Sequence, residues 1–461
     1  MTPVFDPLRL GAVSLDVLMA GRAAPGAIAA RQRTRLARLL ASARKGSRFY
    51  GDHLRGVDAV SPLAALPTVT RSALMARFDD WVTDPCLQLS GLQAFTADPS
   101  RIGTPYLGRY VIWESSGTSG QPGLFVQDAQ AMAVYDALET LRRSAPQSVL
   151  RWMDPLYLTE RIAFVGATGG HFASHVSIER LRQLNPWMAT AVQSFSILQS
   201  TPALVEALNA FSPTVVATYP TGAALLADQL TQGKLRIQPR EVWTGGETLR
   251  PAVRQRIEST MGCTVRNSYG ASEFLTMGWE CACGHLHVNA DWVILEPVDE
   301  QHRPVPDGTP SYTTLLTHLG NAVQPLIRYD LGDQITVHPD RCACGSALPV
   351  MEVQGRCDDA LVMAGQDGQP VTLLPLALTT VLEDQAGVFD FQLRQQDGHT
   401  LVLRLALMGD EAIAAMARCR TALQAYAAAQ GVRPFLLLEE LGQAVPRGRS
   451  GKACRVIAQP A

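Results

Sequence analysis

Between residues 160 and 275 short apolar runs alternate with amphipathic stretches, and this alternation restricts the fold more than any other feature of the 461-residue chain. Strand-like runs at 161–165, 214–219, 241–244 and 263–268 are separated by helix-like segments near 202–210, 222–232 and 251–261. Pro251 opens the last of these helices and Gly262 closes it, the usual asymmetry of helix ends. Strands alternating with helices predict βαβ units and parallel pairing. The runs end in polar turns: Gly166-Ala167-Thr168-Gly169-Gly170-His171, Tyr219-Pro220, Gly245-Gly246-Glu247 and Tyr269-Gly270-Ala271-Ser272-Glu273. Open α/β sheets hold their ligands at the carboxyl ends of the strands, so these turns are expected to converge on one ligand.

Upstream, the apolar run Tyr110-Val111-Ile112-Trp113 leads into Ser115-Ser116-Gly117-Thr118-Ser119-Gly120-Gln121-Pro122-Gly123, and a helix-like segment follows at 129–141. Glycine lets backbone N–H groups converge on an anion, and serine and threonine add short hydroxyl donors. A strand followed by such a loop is suited to gripping a polyphosphate, although a solvated turn has the same composition. No Gly-Lys follows, which excludes the GxxxxGK[ST] type of phosphate loop.

A helix is predicted over 27–44, and 47–93 mixes short helices and loops with no chemical signal. Shorter alternating strands at 292–338 suggest a β-rich subdomain. Beyond Gly355 the pattern restarts: strands at 389–394 and 400–407, a long Ala-rich helix at 411–430, a strand at 432–438, then Pro446-Arg447-Gly448-Arg449-Ser450-Gly451-Lys452. The expected fold class is α/β. A large N-terminal domain of α/β sheets with a β-rich subdomain spans 1–355, and a small, mobile α+β domain spans 356–461.

With 47% hydrophobic and 18% charged residues the chain is an ordinary globular sequence, and a net charge of −2 gives no electrostatic reason to expect nucleic acid or membrane partners. No apolar stretch reaches the ~20 residues of a membrane span, and Asp6, Arg9 and Asp16 break the weak apolar patch at 1–21, against a signal peptide. Of forty basic residues only three are lysines, Lys45, Lys234 and Lys452, so a retained lysine points to a task needing a compact ammonium. Nine cysteines include Cys281-Ala-Cys283-Gly-His285-Leu-His287 and Cys342-Ala-Cys344-Gly. Thiolate and imidazole donors on two distant turns suit a structural Zn²⁺ in a reducing cytoplasm; buried thiols without a ligand are the alternative.

Taken in order, these motifs resemble the adenylate-forming superfamily of acyl-CoA synthetases, and most of all its phenylacetate–CoA ligase branch, over roughly 30–455. The resemblance implies that a carboxylic acid, aryl or small acyl, attacks ATP to give an acyl-adenylate. Transfer to CoA would follow, or transfer to an acyl carrier protein thiol or an amine. It places Ser115, Ser116, Gly117, Thr118 and Gly120 on the phosphates, and Gly246, Glu247, Tyr269, Gly270 and Ser272 about the nucleotide, with Tyr269 stacked on adenine. Asp333, in Tyr329-Asp330-Leu331-Gly332-Asp333, would hold the ribose, Glu273 would orient Mg²⁺, and Lys452 would bridge carboxylate and α-phosphate. Arg356 joins the nucleotide site, Asp358 is the hinge, and Phe164, Gly166, His171, Tyr219, Pro220 and Gly245 form the acyl pocket. For His171 a structural role stays open. The metal ligands are to be drawn from Cys281, Cys283, His287, Cys342 and Cys344, with His285 exposed. Gly123 stands where many relatives carry lysine, and Gly448 replaces the usual threonine. The acid, the final acceptor and the oligomeric state, a homodimer included, stay open.

Overall fold

The computed structural model describes residues 4–58, 61–115, 123–143, 160–354, 359–446 and 454–458. Ser116, Gly117, Thr118, Gly120, Arg356, Asp358 and Lys452 lie outside the described residues.

The chain opens with helices α1 (Pro7–Gly21) and α2 (Pro25–Gly46). The weak apolar patch of the N-terminus is thus a helix, capped where the Asp6 carboxylate accepts the Arg9 N–H at 3.0 Å. After α3 (Arg48–His53) the chain runs through Val69 into a short α4 (Arg71–Ala76), then α5 (Phe78–Trp81) and α6 (Leu89–Thr96). A hairpin, β1 (Val111–Glu114) and β2 (Leu124–Gln127), flanks the glycine-serine loop, and α7 (Ala129–Arg142) packs on α1.

The alternating region forms β3 (Ile162–Gly166), α8 (Ala173–Leu184), β4 (Val192–Ser196), α9 (Thr201–Phe211), β5 (Val215–Thr218), α10 (Pro220–Thr231), β6 (Glu241–Thr244), α11 (Pro251–Met261) and β7 (Thr264–Ala271). Strand β4 and helix α8 were not predicted; polar Gln193, Ser194 and Ser196 weaken the apolar run of that strand. Strands β8 (Phe274–Glu280) and β9 (Leu286–Val288) follow, and β10 (Val293–Val298), β11 (Thr313–His318) and β12 (Tyr329–Asp330) make a separate three-stranded sheet. Strands β13 (Gln334–His338) and β14 (Val350–Gln354) return to the main sheet, whose order is β13-β14-β9-β8-β7-β6-β5-β3-β4. From β4 to β7 every pairing is parallel, as predicted; from β7 to β13 every pairing is antiparallel. Burial follows from that arrangement. On one face of the parallel strands, Ala163, Val165, Val216, Val242 and Val265 share a core with α9, α10 and α11.

The C-terminal part holds a hairpin of β15 (Leu361–Ala364) and β16 (Pro370–Leu373), helix α12 (Pro375–Thr380) and helix α13 (Gly409–Ala429). A four-stranded sheet adds β17 (Phe391–Asp397), β18 (Thr400–Leu405), β19 (Leu436–Leu441) and β20 (Val456–Ile457) in the order β19-β18-β17-β20. Its core gathers Phe391, Leu393, Leu403, Met416 and Leu423, and also takes in Ile197 and Leu225 from the large part. Gln430 fastens the contact: its side-chain NH₂ donates to the carbonyls of Leu198 at 3.1 Å and Gln199 at 2.9 Å, and its oxygen accepts the Thr201 N–H at 3.2 Å. Three bonds on one buried amide make this a specific seam.

Candidate active site

The seam between the parallel and antiparallel halves of the main sheet is where the site forms. Strand β7 carries Tyr269, Gly270 and Ala271 at its end, and its register against β8 shifts between Tyr269 and Ala271. Only glycine fits at 270: a Cβ there would lie 1.9 Å from the Leu275 carbonyl oxygen. The turn Ser272-Glu273 follows, held from behind by the Trp113 indole N–H on the Ser272 carbonyl at 2.7 Å. The Tyr269 hydroxyl donates to Asp333 Oδ2 at 2.8 Å, and the Tyr329 hydroxyl donates to Glu273 Oε1 at 2.7 Å. Burial, reinforced by the facing carboxylate, raises both phenols well above their usual range, so they stay protonated donors. Two tyrosine–carboxylate pairs thus fix two acids across two separate chain segments, 269–273 and 329–333. Asp333 follows Gly332 at φ 67°, and its carbonyl accepts the Thr314 hydroxyl at 2.8 Å.

These groups line a cavity of about 1350 Å³. Ser115, Gly246, Glu247, Tyr269, Gly270, Ser272, Glu273 and Asp333 all face it, and so do Thr70, Arg71, Asp390 and Arg455, which sequence reasoning passed over. Gly246 has φ 77°, and a Cβ there would crowd the Tyr219 ring at 3.1 Å. Glu247 is anchored by Thr221, whose N–H reaches Oε2 at 3.0 Å and whose hydroxyl reaches the same oxygen at 2.8 Å. Arg455, on the small part, is buried against Glu383 and still borders the cavity.

The six expected acyl-pocket residues, Phe164, Gly166, His171, Tyr219, Pro220 and Gly245, are not among the residues lining this cavity. The Phe164 ring covers Gly166, where a Cβ would sit 2.4 Å from Cζ, and Tyr219 packs against the core of the small part. His171 is fully buried 5.5 Å from the Phe95 ring. Its backbone binds Glu114 in both directions, with N–H to Oε1 at 3.2 Å and carbonyl to the Glu114 N–H at 2.8 Å. Burial holds its imidazole below the usual range, in keeping with a structural role.

Beside the cavity the two cysteine turns meet. They are near copies: the Cys283 N–H points at Cys281 Sγ at 3.4 Å and the Cys344 N–H at Cys342 Sγ at 3.5 Å. Gly284 and Gly345 close them at φ 79° and 80°. Cys281, His287, Cys342 and Cys344 bring one donor atom each to within 4.8 Å of one another. Cys281 Sγ lies 3.6 Å from Cys342 Sγ, and Cys344 Sγ lies 3.4 Å from His287 Nε2. A tetrahedral Zn²⁺ spaces sulfur and nitrogen donors roughly 3.5–3.8 Å apart, so the set fits the ion. His287 Nδ1 faces the Leu348 carbonyl at 2.9 Å, which leaves Nε2 unprotonated for a metal, and Trp279 stacks on the ring at 5.2 Å. Cys283 is not among the four donors that come within 4.8 Å of one another. His285 is exposed, as expected, yet its Nδ1 is 3.3 Å from Cys342 Sγ, a neighbour that sequence spacing did not reveal.

Comparison with known proteins identifies the fold. No family model matches the chain. Over 177 residues it is 28% identical to a phenylacetate-coenzyme A ligase of Thermus thermophilus, covering 36% of this chain and 39% of that one. Over 210 residues it is 23% identical to Protein CapK of Staphylococcus aureus, covering 45% and 44%. The alignments thus span less than half the length of these relatives. A solved 2-hydroxyisobutyryl-CoA ligase, in complex with 2-HIB-AMP and CoA in its thioester-forming state, superposes with TM-score 0.58 at 21% identity over 95% of this chain and 91% of that one. Its open conformation gives 0.52 at 20% identity over 92% and 90%. The chain has the fold of the adenylate-forming ligases. Within that fold, its sequence resembles the phenylacetate–CoA ligase branch.

Proposed function

We propose that the protein is an AMP-forming acid–CoA ligase: it activates a carboxylic acid with ATP to an acyl-adenylate and passes the acyl group to the thiol of CoA. The observation that carries this reading is the double tyrosine–carboxylate arrangement. Two acids, Asp333 and Glu273, are held at one cavity at the carboxyl ends of parallel strands. Asp333 accepts from ribose hydroxyls while Tyr269 holds its other face. Glu273, a hard oxygen donor fixed by Tyr329, would hold Mg²⁺, which shields the charge of the phosphates. Ser115 and the loop after it hold the phosphates, and Lys452 bridges the carboxylate and the α-phosphate. Arg455, three residues beyond Lys452, borders the cavity, which supports delivery of that lysine by the small part of the chain. Catalysis of adenylation is mostly positioning plus preorganised positive charge, since one oxygen replaces another at phosphorus.

The chain is read as two domains, 1–355 and 356–461, that rotate about Asp358 between the two half-reactions. Cys281, His287, Cys342 and Cys344 would hold a structural Zn²⁺ that fastens the β8–β9 turn to the β13–β14 turn. Such thiol ligation suits a reducing, cytoplasmic setting; no described helix is long and apolar enough to cross a membrane.

The test is product analysis. Protein incubated with ATP, Mg²⁺, CoA and a panel of aryl and short-chain acids should release pyrophosphate and form an acyl-CoA detectable by mass. Pyrophosphate release with acyl transfer only to an added amine or carrier protein would replace CoA as acceptor. No acid-dependent pyrophosphate release from any member of the panel would refute the ligase reading.

A further inference from the structure

Helix α1 is apolar on two opposite faces. Leu10, Val13, Val17 and Ala20 turn inward, against α7 and the rest of the core. Leu8, Ala12, Leu15 and Met19 recur at spacings of four, three and four and form a stripe on the other side. That stripe is bare: Leu8 is 87% exposed, Leu15 63% and Met19 60%, with Leu18 and Phe5 beside it at 53% and 46%. These five side chains present roughly 500–600 Å² of apolar surface, as much as the largest patch on a typical monomer and about two-thirds of one side of a standard protein interface. The charged residues at its border are already engaged within the chain: Arg9 bonds Asp6 and Gln130, and Asp16 pairs with Arg31 and Arg35. At Gly11, next to the stripe, a Cβ would meet nothing within 4 Å. Glycine inside a helix is costly against alanine, and no contact among the described residues calls for it there.

We infer that α1 is a dimerisation helix, its outer stripe covered by the same stripe of a second copy of this chain running antiparallel to it. The spacing itself selects a second copy. The stripe reads the same from either end, so a two-fold axis between Val13 and Ser14 sets Leu8 against the partner's Met19 and Ala12 against the partner's Leu15. Large side chains meet at the two ends, and at the centre each leucine fills the space over an alanine. Gly11 lets the two backbones approach at that crossing. Charge agrees with the direction: Arg9 and Asp16 lie seven residues apart on one flank, which brings each arginine towards the partner's Asp16. The antiparallel arrangement also opposes the two helix dipoles. A bilayer suits the stripe less well, because interfacial helices turn a lysine- and arginine-rich face to water, and the opposite face of α1 lies inside the protein. None of these residues lines the cavity, so the dimer stands apart from the ligase reading.

The experiment is analytical sedimentation of the full chain across about 1–100 µM, where a small apolar interface should take the wild type from monomer to dimer. Leu15→Glu should weaken the dimer by about 100-fold or more, since it buries two unpaired carboxylates near the axis. At the lowest concentration its melting temperature should match that of the wild type. Adding Ala12→Arg to that variant sets opposite charges across the axis and should recover much of the dimer. A wild type that stays monomeric throughout overturns the inference. So does a dimer that Leu15→Glu leaves intact, because another face then holds it, and so does a double variant no more dimeric than Leu15→Glu. Binding of the monomer to phosphatidylglycerol vesicles that is lost in Leu15→Glu would give the stripe to a membrane and overturn the dimer. If Leu15→Glu melts low even when dilute, Leu8→Glu at the most exposed position decides: a weakened dimer supports the inference, and an unchanged one overturns it.

Discussion

Glu114 shows how a single side chain couples this site to acidity. It ends β1, accepts the His171 N–H, and burial pushes its carboxyl up to about 7, with Asp384 of the small part adding to the effect. Burial, with Glu383 beside it, pushes Asp384 up to about 6. Both groups bind protons more tightly folded than unfolded. Their contribution to stability is complete below their ordinary carboxylate values and is lost as pH rises through about 6 to 7. The melting temperature should therefore fall between about pH 5 and pH 8, and Glu114→Gln should flatten most of that slope. Equal slopes for the variant and wild type in melts across that range would refute the coupling. At the same scale, Tyr269 and Tyr329 show a limit of sequence reading. Both were visible as members of motifs, but that each hydroxyl serves an acid on a different segment depends on sheet register, which no local pattern encodes.

Among the elements, the paired cysteine turns make the sharpest demand. If they close on a metal ion, Cys342→Ser should lower bound zinc and thermal stability together. The stability loss should be about 3 kcal/mol or more, because three remaining donors leave a structural site open. Metal analysis and melting of the same preparations check this; a metal-free wild type that melts as high as the zinc-loaded one would remove the claim. The turns were legible because Cys-Ala-Cys-Gly is written twice. The choice among their donors was not, since Cys283 and Cys344 look alike in sequence and only Cys344 brings its thiol within 4.8 Å of the other three donors. Parallel strands and helices over 160–275 were likewise legible from their period. Strand β4 was missed, being half polar at the sheet edge, and Arg71 was missed because its six-residue helix owes its place to a pairing with Tyr329 more than 250 residues away. The acyl-pocket residues were assigned by resemblance alone, and the cavity walls lie elsewhere.

Across the whole molecule, the contact through Gln430, Ile197 and Leu225 holds the small part against the strand ends of the large one. In the proposed cycle that contact forms and breaks, and the small part delivers Lys452. Lys452→Ala should slow acid-dependent pyrophosphate release by about 100- to 1000-fold while ATP binding and melting temperature stay near wild type. Wild-type release from that variant would contradict the assignment. The cavity between the parts has a further consequence. At about 1350 Å³ it exceeds the ~300–1000 Å³ typical of one small-molecule pocket. Its walls come from distant stretches, Arg71 and Ser115 on the one hand, His285 and Arg341 beside the cysteine turns on the other. Two unrelated fragments can therefore occupy it together without competing. Inhibitor discovery against this chain is better served by soaking compounds in pairs and tethering those that coexist.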